Sequence, residues 1–186
     1  MPSHRCLLLV LLSVVASTSV ALQQVAAQQP GPTKEHEIFK QDVGKWDATM
    51  KLYHTPDAEP TISKATETNE LVGGMWLVNR FEGELMGMPF TGVGQWGYDP
   101  AEKKYKGTWI DNMTPYMQNI RGDYDPATKT LTSLSESRDP MTGEKITYKE
   151  TARTVDENTR QFEMFMPDGK GGFQKMLEIE YKRAHE

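Results

Sequence analysis

From Trp46 onward the chain alternates apolar and polar positions in short runs, each roughly eight to ten residues long. The runs are rich in Thr, Val, Tyr, Trp and Phe, and clusters of Pro, Gly, Asn and Asp separate them, which is typical of an antiparallel meander. We therefore predict ten strands with no crossover helix between them. The runs are Trp46 to His54, Ile62 to Leu71, Met75 to Leu85, Phe90 to Tyr98, Lys104 to Asp111, Tyr116 to Tyr124, Thr130 to Ser137, Lys145 to Thr154, Arg160 to Met166 and Phe173 to Arg183.

A meander of this length leaves two exposed strand edges unless its first and last strands pair. Closure satisfies the backbone groups of both edges, so we predict an all-β fold, a closed antiparallel up-and-down barrel of about ten strands. A two-sheet sandwich is the alternative. Ahead of the strands, Ile38, Phe39 and Val43 have helix-like spacing and Gly44 follows them, which predicts one short N-terminal helix at one mouth of the barrel.

The hairpin from Thr91 to Asp111 predicts a register. If Tyr98 pairs with Tyr105 across the Tyr-Asp-Pro-Ala turn, the inner face follows as a set of opposed pairs: Trp96 with Gly107, Gly94 with Trp109, and Gly92 with Asp111. Large and small groups then interlock on one face, while the other face carries polar residues better suited to solvent. We expect the Trp and Asp face to point inward.

A second Tyr-Asp-Pro-Ala turn at Tyr124 extends the same rule. The expected pairs are Tyr124 with Leu131, Gly122 with Ser133, Ile120 with Ser135, and Gln118 with Ser137. An inner face so rich in glycine and serine cannot fill a wide barrel. It therefore predicts a cavity, although glycines in strands also serve as barrel bends.

The strand from Met75 to Leu85 is ambiguous, because Met86-Gly87-Met88-Pro89 can close with a loop of four or five residues. A one-residue slip turns every side chain of the strand to the other face. One choice points Trp76, Val78, Arg80 and Glu82 inward, and the other points Leu77, Asn79 and Phe81 inward. We favour the first choice. It would bring Arg80 close to Asp111 and Glu82 as a buried charge cluster.

The N-terminal residues predict export. An apolar run from Leu7 to Val15 follows His4 and Arg5, and small residues lead to a cleavage site after Ala27. We predict a signal peptide over residues 1–27, a flexible linker over 28–34 and a single barrel domain over 35–186. The protein would then be periplasmic or extracellular, without an integral membrane segment once the signal is cleaved.

Charge and cysteine usage exclude several classes of partner and chemistry. The formal net charge is −5, and it becomes one unit more negative without Arg5, which argues against nucleic acid and anionic membranes. The only cysteine, Cys6, lies inside the predicted signal. The exported chain would therefore contain neither disulfides nor a reactive thiol.

Several ordered motifs resemble the bacterial domain of unknown function 1579 family. They extend over His36 to Arg183 and comprise Gly73-Gly74-Met75-Trp76, Met86-Gly87-Met88-Pro89-Phe90, Gly97-Tyr98-Asp99, Lys104-Tyr105, Trp109-Ile110-Asp111 and Asp139-Pro140-Met141-Thr142-Gly143. The resemblance implies a lipocalin-like, calycin-type β-barrel, as in a family of mostly exported or hypothetical bacterial proteins, and it implies no activity because the family has none assigned. The tripeptide Gly44-Lys45-Trp46 also looks like the Gly-x-Trp entry of lipocalins.

Aromatic and charged residues of the predicted inner face are the candidates for a binding site. Tryptophans can form the wall of a cavity for a small apolar or aromatic ligand, with structural core as the alternative. Asp111 could orient a ligand, or it could form a register-pinning ion pair or the turn before Pro115. The candidate ligand-binding residues are Trp76, Arg80, Trp96, Trp109, Asp111 and Tyr116. We assign no catalytic residue.

Metal and cofactor signals are weak. The histidines after the predicted signal, His36, His54 and His185, lack zinc-binding spacing. Paired methionines such as Met86 and Met88 could bind Cu(I), but adaptable packing is their commoner role. We predict no metal and no cofactor.

Three functions remain compatible with the sequence. We favour an exported, non-catalytic protein that binds a small hydrophobic ligand, apolar or aromatic, inside the barrel. The second is an enzyme that uses Asp111 with Arg80 or Glu82 as acid–base groups. The third is a structural or interaction module of the cell envelope, with a solid barrel and a binding patch outside. The pattern predicts neither the ligand's identity nor the oligomeric state.

Overall fold

The computed structural model describes residues 31–55 and 58–184. In this part of the chain, ten strands form one closed barrel, in which each strand pairs with its neighbours in chain order and the last strand pairs with the first. All pairings are antiparallel. The predicted closed up-and-down barrel is confirmed. The predicted signal peptide lies outside the described residues, and so do residues 28–30 of the predicted linker.

The strand boundaries lie within about two residues of their predicted positions. A 3-10 helix, Lys34–Asp42, comes first. The strands are β1 (Gly44–Leu52), β2 (Thr61–Val72), β3 (Trp76–Leu85), β4 (Met88–Asp99), β5 (Lys104–Asp111), β6 (Gln118–Asp125), β7 (Thr130–Arg138), β8 (Lys145–Asp156), β9 (Thr159–Pro167) and β10 (Phe173–Arg183).

The N-terminal helix covers one end of the barrel, which we call the helix end. Phe39 is buried there against Leu77, Tyr105 and Leu131. The hydroxyl of Tyr105 donates to the carbonyl oxygen of Glu35 at 2.9 Å. The predicted helix against one mouth is confirmed, and the opposite end of the barrel is called the loop end.

The predicted hairpin register is confirmed. In the β4–β5 ladder Tyr98 pairs with Tyr105, and the three large-and-small pairs follow as expected: Trp96 with Gly107, Gly94 with Trp109, and Gly92 with Asp111. In the β6–β7 ladder the pairs are Tyr124 with Leu131, Gly122 with Ser133, and Ile120 with Ser135. These ladders place a Gly- and Ser-rich wall on the inside of the barrel.

The favoured orientation of β3 is wrong. Leu77 and Phe81 are 5% and 2% exposed, whereas Trp76 is 47% exposed and on the outer face. The cause is a two-residue turn at Met86 and Gly87, whose φ angles are both positive, 53° and 78°. Such a turn matches the twist of a hairpin and is tighter than the loop we assumed. It pairs Leu85 with Met88, so that every side chain of β3 faces opposite to the prediction.

Candidate functional site

The barrel contains a cavity of about 530 Å³, which confirms the prediction from the Gly- and Ser-rich face. This volume falls within the usual range of small-molecule sites. Lining residues extend from Met86 and Met113 near the loop end to Gln41 and Thr154 near the helix end. The interior is therefore hollow along much of the barrel.

One wall of the cavity is aromatic. The rings of Phe90 and Trp109 stack with centroids 6.4 Å apart, and Phe81 meets Trp109 edge-on at 6.5 Å. Gly92 makes room for the indole, since a Cβ added there would lie 2.1 Å from Trp109 Cζ2. Trp96 lines the same cavity. The structure thus places Trp96 and Trp109 where the sequence predicted them.

Asp111 also lines the cavity, but its carboxylate is occupied by local partners. Oδ2 accepts from Trp109 Nε1 at 2.9 Å, and Oδ1 accepts from the backbone amides of Met113 at 2.8 Å and Thr114 at 3.2 Å. These bonds hold the indole and form the turn after β5. The turn-forming alternative for Asp111 is therefore confirmed.

Arg80 does not join Asp111, because it lies on the outer face of β3 with Glu82. The predicted charge cluster of these residues is wrong for the same reason as the orientation of β3. Trp76 packs outside the barrel, where a Cβ on Gly97 would lie 2.5 Å from its Cζ3 atom. Tyr116 does not line the cavity; its hydroxyl lies 3.5 Å from the Cβ position of Gly143.

A buried ion cluster that the sequence did not predict lies toward the helix end. Arg160 Nη2 is 2.7 Å from Glu67 Oε1, and Arg160 Nη1 is 3.6 Å from Asp42 Oδ1. Asn69 Nδ2 donates to Glu67 Oε1 at 2.8 Å and to the carbonyl oxygen of Asp42 at 2.9 Å. Burial raises the pKa of Asp42 to about 6, although Arg160 opposes the shift.

Trp46 connects this cluster to the barrel closure. The guanidinium groups of Arg160 and Arg183 lie 4.1 Å and 4.2 Å from its ring centroid. Arg183 also donates to the carbonyl oxygens of Gln41 at 2.7 Å and Val43 at 2.9 Å. The Gly-x-Trp tripeptide therefore serves the scaffold, by tying the helix and β1 to β10.

Glu150, in the middle of β8, is the second feature that the sequence did not predict. It lines the cavity and is 3% exposed. Its one hydrogen bond comes from Ser133 Oγ to Oε2 at 3.3 Å, and no Lys, Arg or His within residues 31–55 and 58–184 pairs with it. Burial raises the pKa of Glu150 to about 7, against the opposing effect of the Ser135 and Ser133 hydroxyls.

A signal for Glu150 was present in the chain. The predicted register set Ser133 on the inner face, and the β7–β8 ladder pairs Ser133 with Glu150. Extending the register by one more hairpin would have turned this carboxyl inward. The residue types of the loop from Asp139 to Glu144 do not by themselves fix a unique pairing of the strands that it joins.

The histidines within the described residues, His36 and His54, do not line the cavity. His36 is buried in the helix and its Nδ1 accepts from the Thr33 amide at 2.9 Å, while His54 contacts Thr61. His185 lies outside the described residues. Among the residues that the structure describes, no three His, Cys, Asp or Glu side chains are grouped to hold a metal. None of the helices described there combines the length and hydropathy needed to cross a membrane.

Comparisons with known proteins agree with the fold. A family model described as "Protein of unknown function (DUF1579)" matches residues 31–183. The chain belongs to this family. The DUF1579 barrel resembles Rv2717c from M. tuberculosis, with a TM-score of 0.63 and 12% sequence identity over 82% of this chain and 99% of that one.

A second structure similar to this DUF1579 protein is the S-type phycobiliprotein lyase CPES from Guillardia theta. The TM-score is 0.55, with 13% identity over 84% of this chain and 96% of the lyase. At such low identity both likenesses show the fold alone. No curated protein matches the chain significantly.

Proposed function

We propose that this protein is an exported, non-catalytic binder of a small, largely apolar or aromatic molecule held inside the barrel. The observation that carries the proposal is the cavity of about 530 Å³ beside the stacked Phe90 and Trp109 rings. Protein interiors are close-packed, so a hollow of this size is unusual in a merely structural core. Apolar walls with a few polar groups are the usual make-up of a small-molecule site.

The two alternative functions receive less support. The acid–base group of the enzyme hypothesis needed Arg80 or Glu82 beside Asp111, and both residues lie on the outer face of β3. The structural-module hypothesis assumed a solid barrel, and the barrel contains a cavity. The likeness to a phycobiliprotein lyase is compatible with a small-molecule site, as an analogy of fold.

Binding can be tested with the neutral fluorescent probe N-phenyl-1-naphthylamine and protein purified after expression of the full chain. We expect saturable enhancement of probe fluorescence. Ala152 lines the cavity, so Ala152→Phe should fill it and weaken binding about tenfold or more, equivalent to about 1.4 kcal/mol. Leu134→Phe is the matched control, because Leu134 is 51% exposed on β7, and it should leave affinity unchanged.

The proposal fails if no apolar probe binds, or if both phenylalanine variants weaken binding equally. Export is tested separately in the same expression, by fractionating a bacterial host. The apolar run from Leu7 to Val15 should direct the chain out of the cytoplasm. Retention of the full-length chain inside the cell would contradict this part of the proposal.

A further inference from the structure

Glu150 is a buried carboxyl that lines the cavity without a cationic partner. Its side chain is 3% exposed, and within the described residues it accepts one hydrogen bond, from Ser133 Oγ at 3.3 Å, with the Ser135 hydroxyl nearby. An ionised carboxylate in such a place costs free energy unless a positive charge or several donors compensate for it. Since the described residues supply no such charge, a ligand in the cavity is the remaining source of a positive charge for Glu150.

Building on the proposed function, we infer that the ligand carries a protonated nitrogen that pairs with Glu150. The ligand class is thus an apolar or aromatic amine. Its hydrocarbon part would lie against the apolar wall, and its ammonium group would donate to Glu150 Oε1, which accepts no hydrogen bond from the described residues.

Another unpartnered group of the wall favours a donor-bearing ligand. Asn79 Oδ1 is a buried acceptor without a hydrogen-bond partner among the described residues. Asn79 lies on β3, five strands around the ten-stranded barrel from β8, so it faces the cavity from the side opposite Glu150. A bound ammonium or amide nitrogen would satisfy acceptors that the protein leaves open.

An acidic ligand has fewer suitable partners in the interior. Arg160 is paired with Glu67 at 2.7 Å and with Asp42 at 3.6 Å, and its buried Nε has no hydrogen-bond partner among the described residues. Three further cations contribute to the cavity lining near its ends, where strands meet turns: Lys129, Arg138 and Arg153. Arg138 there donates to the Gly143 carbonyl oxygen at 2.6 Å. The middle of the cavity is therefore acidic.

The aromatic wall also suits a cation. Trp109 and Phe90 line the cavity, and a cation within about 6 Å of an aromatic ring centroid is attracted to the ring. This barrel already uses that interaction at Arg160, which lies 4.1 Å and 4.5 Å from the ring centroids of Trp46 and Tyr181. A neutral apolar ligand would use the wall but leave Glu150 unpaired.

A matched ligand series tests the inference: dodecylamine, dodecanol and dodecanoic acid compete with N-phenyl-1-naphthylamine for the purified protein. The measurement is made near pH 8, above the pKa of about 7 at Glu150. Dodecylamine should bind about tenfold tighter than dodecanol, equivalent to about 1.4 kcal/mol, and dodecanoate should bind most weakly. Glu150→Gln should remove the preference for the amine while retaining dodecanol binding.

Glu136→Gln is the matched control, because it removes the same charge from the exposed outer face of β7. It should keep the preference for the amine. The inference is overturned if the probe binds but dodecylamine binds no tighter than dodecanol, or if Glu150→Gln weakens both ligands equally. Absence of all probe binding would instead contradict the proposed function itself. If Glu150→Gln does not fold, the wild-type ranking of the three ligands decides.

Discussion

Two inward-facing glutamates have similar burial and different surroundings. Glu67 on β2 is 5% exposed and Glu150 on β8 is 3% exposed. Glu67 has a guanidinium at 2.7 Å and an amide donor at 2.8 Å, from Arg160 and Asn69. Glu150 has one serine hydroxyl at 3.3 Å. Burial alone therefore does not tell a scaffold carboxylate from a candidate site carboxylate.

The difference separates a region of the barrel in which the buried carboxylates are paired with a cation from a region in which the buried carboxyl has no cation. Around Glu67, charge pairing and the packing of Arg160 against Trp46 join the helix, β1 and β9. Around Glu150 the wall contains Ser133, Ser135 and empty space. A protein can keep an unpaired buried carboxyl at the cost of some stability, and such perturbed groups cluster at functional sites.

The largest effect on the free energy of unfolding should come from breaking the charge-paired cluster of Arg160, Glu67 and Asp42. Arg160→Met leaves Glu67 and Asp42 as buried carboxylates without their cation, which typically costs about 3–5 kcal/mol. Urea unfolding followed by circular dichroism gives the free energy of unfolding. Arg121→Met is the matched control, because Arg121 pairs with Glu102 on the surface and such pairs contribute about 1 kcal/mol or less. Equal losses in the two variants would contradict the structural role of the cluster.

At Glu150 we expect the opposite sign: removing the charge should stabilise the folded protein as pH rises. Its folded-state pKa of about 7 lies above the ordinary glutamate value of 4.5, so the folded protein holds this proton more tightly than the unfolded chain. The stabilising contribution is complete below pH 4.5 and is lost as pH rises through 7. Glu150→Gln removes that pH dependence. As pH rises from 4.5 to 7, the free energy of unfolding of the variant should therefore increase relative to that of wild type by on the order of 3 kcal/mol.

The measurement is urea unfolding of wild type and Glu150→Gln over this pH range. Asp42 titrates in both proteins, with a pKa raised to about 6 by burial, so its contribution cancels in the difference. A difference between the two unfolding free energies that stays constant with pH would show that Glu150 is not the unpaired group described above.

The same contrast shows what the sequence could predict. Strand positions and closure follow from local patterning, and the register of two hairpins follows from the Tyr-Asp-Pro-Ala turns and opposed large and small residues. Arg160 and Glu67 are 93 residues apart and meet across strands that are not paired with each other. No local pattern of charge or hydropathy predicts such a contact.

The error at β3 has a different origin. The orientation depends on one turn, in which Met86 adopts a φ angle of 53° that non-glycine residues rarely adopt. Because side chains alternate along a strand, one wrong loop length turned Trp76 and Arg80 inward in the prediction and Phe81 outward. Three of the six candidate residues, Trp96, Trp109 and Asp111, line the cavity.

The smallest effect on the free energy of unfolding is expected at Asp111. Like Glu150 it lines the cavity, and like Glu67 its carboxylate accepts several hydrogen bonds from neighbouring residues. Asp111→Ala removes one indole and two backbone hydrogen bonds and should cost about 1–2 kcal/mol of unfolding free energy. Asp123→Ala is the matched control, because Asp123 is exposed and pairs with Lys104 on the surface, and it should cost about 0.5 kcal/mol or less of unfolding free energy.

Ligand discrimination gives Asp111→Ala its second readout. If Glu150 is the only inward carboxylate free to pair with a ligand, loss of Asp111 should weaken dodecylamine and dodecanol to the same extent, through the displaced Trp109 ring. If Asp111→Ala weakened dodecylamine binding but not dodecanol binding, the carboxylate that binds the ammonium group would be Asp111 on β5 and not Glu150 on β8. Stability and selectivity measured on the same variant thus distinguish a carboxylate that builds the wall from one that binds the ligand.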